Sequence, residues 1–186
     1  MSALLLALIT IGSPAWVETH ITSIPDFPKP GIVFRWYSKL LRDPEAFHQV
    51  ICAFAERYRD RDIQVIAGLD SRGFVFGSAL AYELNLPFVM IRKAGKIPTP
   101  VNRVDYALEY GTSSFEIEIG SIQPGERVLI IDDLLATGGT AAAASQLVES
   151  LGGTVAETAF LIELAGLQGR DRIQAPVFSL VSIDAD

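Results

Sequence analysis

Two short apolar runs, each ending on an aspartate and each followed by a helix-forming stretch, constrain this chain more than any other feature. Ile63 to Leu69 reads as a buried strand that turns through Asp70-Ser71-Arg72-Gly73 into a helix over Phe74 to Leu84. Val128 to Ile131 reads as a second strand, entered from a turn at Pro124-Gly125-Glu126. It leaves through Asp132 toward an alanine-rich helix over Thr140 to Leu151, which Gly152-Gly153 ends. Phe88 to Ile91 is another apolar run, and Val155 to Leu164 reads as a further strand. Strands alternating with helices predict an α/β fold with a doubly wound, mostly parallel sheet flanked by helices. Ligands of such sheets bind outside the carboxyl ends of the strands, so chemistry is expected at the turns after Leu69 and Ile131.

Elsewhere the pattern is looser. Ile24 to Gly31 holds three prolines and cannot be regular helix. Asp43-Pro44-Glu45 reads as an N-cap, a proline at the first helical position and an acid in the first turn. Phe47, Val50, Ile51, Phe54 and Tyr58 then recur at helical spacing. Tyr106 to Tyr110 and Phe115 to Ile119 predict a β-ribbon around Gly111-Thr112-Ser113. At the start, Ala3 to Ile11 is apolar, but no Lys or Arg precedes Lys29, so an extra helix fits better than a signal peptide. The run is also shorter than the roughly 20 residues that cross a bilayer.

Composition narrows the function. The 186 residues suffice for one sizeable core. The formal net charge of −7 argues against a general nucleic-acid binder, while leaving room for a local cationic patch. Cys52 is the one cysteine, so no disulfide forms within the chain and a reducing, cytoplasmic setting is expected. With only His20 and His48 beside it, neither a zinc cluster nor a Ser/His/Asp triad is indicated.

The segment from Asp132 to Thr140 carries the clearest chemistry. Glycines let backbone N–H groups close on a ligand, a helix N-terminus favours an anion, and Thr137 and Thr140 offer hydroxyl donors. No lysine follows the glycines and the G-x-G-x-x-G spacing is absent, so it is neither a P-loop nor a dinucleotide fingerprint. Two carboxylates beside a phosphate are tolerable where a sugar diol or hydrated Mg²⁺ stands between them. That combination points to a ribose 5-phosphate. Asp70-Ser71-Arg72-Gly73 is a second candidate anion site, or else a plain capping turn. Arg92, Lys93 and Lys96, with the stretch from Pro98 to Gly111, suit a loop closing over an anionic ligand, or a solvated charged loop. Glu109, between aliphatic and aromatic neighbours, is a candidate proton-transfer group.

From about Ile24 to Gly169 these residues resemble the type I phosphoribosyltransferases, and among them the branch acting on adenine. Phe27 to Arg35, Ala67 to Gly77, Ile91-Arg92-Lys93, Leu108-Glu109-Tyr110-Gly111 and Asp132 to Thr140 carry the resemblance in order. It implies residues 1–20 as an extension and 21–186 as one domain, with a hood at about 21–42 and a flexible β-ribbon lid at about 93–120. It implies purine salvage: adenine and phosphoribosyl diphosphate (PRPP) giving AMP and pyrophosphate, with Mg²⁺. Asp132 and Asp133 would take the ribose hydroxyls. Ala136, Thr137, Gly138, Gly139 and Thr140 would wrap the 5-phosphate. Asp70, Ser71 and Arg72, in a turn with a non-proline cis peptide, would bind pyrophosphate with Arg92, Lys93 and Lys96, the last three reaching toward a second subunit of a homodimer. Val33, Phe34, Arg35 and Leu134 would hold adenine, Glu109 would move its proton, and Tyr110 would belong to the lid. No protein ligand set for the metal is implied, the ion being held through substrate and water. Nucleic-acid and membrane partners are not expected. Trp36-Tyr37 and Thr99-Pro100-Val101 depart from the family's usual Asp-Ile and Gly-Pro-Thr. The alternatives are a phosphoribosyltransferase for xanthine or hypoxanthine, and a non-catalytic regulator that senses PRPP on the same fold.

Overall fold

The computed structural model describes residues 15–107 and 112–184. The chain divides into two compact units, Met1–Ala53 and Phe54–Asp186.

In the first unit, α1 (Ala15–Glu18) precedes a small hairpin that sequence reading had not anticipated. Strand β1 (Thr22–Ile24) pairs antiparallel with β2 (Phe34–Trp36), Ile24 opposite Phe34. Between them the proline-rich stretch forms a loop rather than a helix, with a cis Phe27–Pro28 bond. Asp26 Oδ1 accepts the Gly31 N–H at 2.8 Å, and Phe27 N–H donates to the Ile32 carbonyl at 3.1 Å, which folds the loop on itself. A short helix α2 (Ser38–Arg42) follows, with Leu40 buried. Asp43 then caps α3 (Pro44–Tyr58) as expected: its Oδ1 accepts from the N–H groups of Glu45 at 3.0 Å and Ala46 at 3.1 Å.

The second unit is built on one sheet. Its strands are β3 (Val65–Leu69), β4 (Phe88–Lys93), β5 (Val101–Ala107), β6 (Thr112–Glu118), β7 (Arg127–Leu135), β8 (Thr154–Leu164) and β9 (Val177–Ile183). Among the described residues their order is β5-β6-β4-β3-β7-β8-β9. The five from β4 to β9 run parallel, while β6 pairs antiparallel with both β4 and β5. Helix α4 (Gly73–Leu84) joins β3 to β4 and α5 (Gly139–Ser150) joins β7 to β8. They cover opposite faces. The α5 residues Ala143, Ala144 and Leu147 share a core with Val128 and Ile130. Gly77 of α4 lies so close to Ile131 and Phe88 that a Cβ there would come within 2.9 Å of the Ile131 Cγ2. Since strand side chains alternate between faces, Ile130 and Ile131 mark the two sides. Ala159, Phe160, Leu161 and Ile162 are also buried, so the central strands carry apolar side chains on both faces, as parallel sheets require.

Of the boundaries that differ from expectation, two bear on the site. Strand β7 does not stop at Ile131 but continues to Leu135, because β8 pairs with it throughout: Asp132 faces Phe160, Leu134 faces Ile162 and Leu135 faces Glu163. The ribbon also starts earlier, at Val101, so part of the expected closing loop is sheet. Its base is tied down by buried Phe115 and Ile117 and by Asn102 Nδ2 donating to Ser150 Oγ at 2.9 Å. Residues 108–111 lie outside the described residues. No described helix is long and apolar enough to cross a membrane.

Candidate active site

The sheet order places the site. From β3 the chain crosses to β4 on one side, and from β7 it crosses to β8 on the other, so winding reverses between β3 and β7. A crevice opens at the carboxyl ends of strands at such a switch point. Here it is a cleft of about 330 Å³ bordered by both turns that the sequence singled out. Asp70, Ser71 and Arg72 form one wall, and Asp132, Asp133, Leu134, Ala136, Thr137, Gly138 and Thr140 another, with Lys93 at the side. Gly139 sits within the same loop as the first residue of α5.

The two turns are pressed together. A Cβ on Gly73 would stand 2.6 Å from the Ile131 carbonyl oxygen and 3.0 Å from Asp132 Oδ1, so only glycine allows α4 to begin this close to β7. The Asp70–Ser71 peptide is cis, as the resemblance implied. Opposite, Gly138 adopts φ 79°, ψ −7° and starts α5 without a side-chain cap. Uncapped first-turn N–H groups beside two threonine hydroxyls make a receptor for a phosphoryl group.

One ion pair joins the two walls of the cleft, and Asp70 is paired from outside it. Arg72 Nε lies 2.9 Å from Asp133 Oδ2, and Arg92 Nε donates to Asp70 Oδ2 at 3.2 Å. Asp133 is only 3% exposed. Its N–H donates to Asp132 Oδ1 at 2.8 Å. Burial, then the adjacent Asp133 carboxylate, pushes the Asp132 carboxyl well above its ordinary value, while Arg72 pulls the other way.

Not every expected residue enters the cleft. Lys93 does, but Arg92 and Lys96 line a separate hollow of about 300 Å³ beside Phe88 and Met90. The cause is that Arg92 and Lys93 are strand residues and leave β4 on opposite faces. Arg92 lies over the Phe74 ring of α4, 5.9 Å from its centroid. Val33, Phe34 and Arg35 belong to the first unit. There Phe34 meets Phe27 edge to face at 5.2 Å, and the Arg35 guanidinium donates to Ser23 Oγ. Glu109 and Tyr110 lie outside the described residues. Tyr106, Ser113 and Phe115 of the expected ribbon lid also line the cleft, as does Phe160, though sequence reading singled out none of the four; Tyr106 stacks on Phe115 at 5.1 Å. Their signal was only strand propensity, which does not tell a wall from a core.

Among the described residues no group of three or more His, Cys, Asp or Glu side chains could hold a metal ion alone. A Mg²⁺ shared with substrate oxygens needs less, and the carboxylate pair at the end of β7 suits such a hard cation.

Residues 37–186 match the model of the phosphoribosyl transferase domain. Adenine phosphoribosyltransferases are similar over most of the chain. That of Chloroflexus aurantiacus is 52% identical over 87% of this chain and 94% of its own. That of Sorangium cellulosum is 49% identical over 91% and 88%. The chain belongs to the adenine phosphoribosyltransferase family. Solved structures of the family agree with the fold. The enzyme from Thermoanaerobacter pseudethanolicus superposes with a TM-score of 0.89 at 44% identity, covering 91% of this chain and 99% of that one. The Saccharomyces cerevisiae enzyme, solved with an imino-altritol bisphosphate and adenine, gives 0.87 at 41% identity over 91% and 98%.

Proposed function

We propose that this member of the family joins adenine to the ribosyl 5-phosphate of PRPP, yielding AMP and pyrophosphate. The observation that carries this reading is one cleft bordered by both a carboxylate pair leading into an uncapped glycine-threonine loop and a cationic turn. Adenine N9 bonds to ribose C1′ as the C1′–O bond to pyrophosphate breaks, and the base gives up its N9 proton.

Residue roles follow from chemistry. Ala136 to Thr140 hold the 5-phosphate by backbone N–H and hydroxyl donors, and Asp132 and Asp133 take the ribose hydroxyls. Ser71, Arg72 and Lys93 offset the charge that grows on the departing pyrophosphate. Asp132 and Asp133 would also accept from water bound to a Mg²⁺ held by the substrate, and that ion would supply further charge neutralisation. Val33, Phe34, Arg35 and Leu134 contact the base, and Glu109 accepts or returns its proton. A homodimer, with Arg92 and Lys96 turned toward the second subunit, completes the proposal.

The test is pyrophosphate release from PRPP and Mg²⁺ with adenine, hypoxanthine, guanine and xanthine supplied in turn. Release with adenine alone is expected. Release with another base and not adenine would overturn the assignment of substrate.

A further inference from the structure

The loop that receives the 5-phosphate in the proposed function rests on a segment about thirty residues further along the chain. Residues Gly169–Arg172 form a 3-10 turn, with Gly169 buried. A Cβ on Gly138 would overlap the Gly169 carbonyl oxygen, and a Cβ on Gly169 would overlap the Ala136 carbonyl oxygen. Two backbones are thus in direct contact through glycines on both sides, with no side chain between them.

The turn is itself anchored. Arg170 grips Glu163 through Nε at 2.6 Å and Nη2 at 2.5 Å, and its Nη1 donates to the Val177 carbonyl at 2.8 Å. Glu163 sits on β8 opposite Leu135, the residue just before the phosphate loop. Ile173 closes the same corner, packed with Leu135, Ala141 and Phe160. Arg170 thereby ties the turn to β8 and β9, and the turn in turn packs its Gly169 backbone against the Ala136 carbonyl and its Gly169 carbonyl against the Gly138 α-carbon.

We propose that this turn braces the 5-phosphate loop, with Gly169 and Arg170 as positioning residues for the phosphoryl end of PRPP. Neither needs to touch substrate. A nest of N–H groups binds an anion only while its peptide planes hold their orientation, and displacing binding groups by about 1 Å can cost on the order of 10²-fold. The inference rests on the proposed function for the identity of the ligand, and on the glycine contacts for the mechanism.

The experiment compares ribose 5-phosphate and inorganic pyrophosphate binding by calorimetry on the full chain. Gly169→Ala should weaken ribose 5-phosphate by about 10²-fold, and Arg170→Gln by about tenfold, with pyrophosphate affinity unchanged in both. Arg170→Lys should recover part of the loss, because it keeps a charge for Glu163. If Gly169→Ala does not fold, the Arg170 pair decides alone. Equal weakening of both ligands would overturn the brace, since general damage does not discriminate between the two ends of the cleft. Unchanged ribose 5-phosphate binding in folded variants would overturn it as well, leaving the proposed function standing. Failure of the unaltered protein to bind ribose 5-phosphate would instead overturn that function and the brace together.

Discussion

The ion pair between Arg72 and Asp133 links the stability of the empty cleft to its ability to bind a diphosphate. Two unit charges about 4 Å apart attract by roughly 4 kcal/mol at an effective dielectric near 20. Asp133 is buried, with a side chain 4% exposed, but that of Arg72 is 41% exposed, so solvent screens much of the attraction. A net contribution of about 1–2 kcal/mol remains. Arg72→Gln should therefore lower the melting temperature by about 5 °C in a chain of this size. It should also abolish most of the rise in melting temperature that PRPP with Mg²⁺ produces, because the diphosphate loses its bidentate cation. The double variant Arg72→Gln with Asp133→Asn removes the stranded buried carboxylate. It should regain about 1 kcal/mol over Arg72→Gln while still failing to respond to PRPP. Thermal unfolding of these two variants, of Asp133→Asn and of the unaltered protein, with and without PRPP, closes the cycle. Strictly additive losses would refute the reasoning, because they would mean that the two side chains do not interact.

Two further outcomes concern the frame around the cleft. The Arg170 guanidinium, hydrogen-bonded to Glu163, holds that carboxyl below its ordinary value of 4.5. Its contribution is thus present above that value and lost as pH falls through the lower folded value. Melting temperature should drop more steeply from about pH 5 to pH 3 in the unaltered protein than in Glu163→Gln, and parallel curves would remove Glu163 from the acid response. Glu157 is 6% exposed and accepts from Arg57 Nε at 2.8 Å and Nη2 at 2.7 Å, with the Arg57 guanidinium 4.0 Å from the Phe178 ring centroid. Glu157→Gln should cost about 2–3 kcal/mol in urea unfolding, less than a fully buried pair because Arg57 keeps some access to water. None of these three residues borders the cleft, so turnover per folded molecule should be unchanged; a large fall in turnover would show that the cluster reaches the site.

What was legible in the sequence depended on how local its cause is. The Asp132 to Thr140 corner announces itself because a nest needs glycines, hydroxyls and a helix start within a few consecutive residues, and the cap at Asp43 is equally self-contained. Where β7 ends is not local. Asp132 and Asp133 are strand residues only because Phe160 and Ile162 pair alongside, and nothing near residue 132 records what β8 will do. The fate of the cations lay one step from reach. Had the strand begun at Phe88 been carried past Ile91 to Lys93, its period of two would already have sent Arg92 and Lys93 to opposite faces and left only one of them in the cleft. Gly169 lay beyond any such step. Its own neighbours, Gln168 and Arg170, give no reason for a glycine; the reason is the Ala136 carbonyl, which three-dimensional folding brings against it. A glycine excluded by its own φ can be inferred from a turn pattern, whereas one excluded by a distant backbone is visible only once both segments are in place. That is why the loop touching the phosphate could be read from the chain and the turn that holds the loop could not.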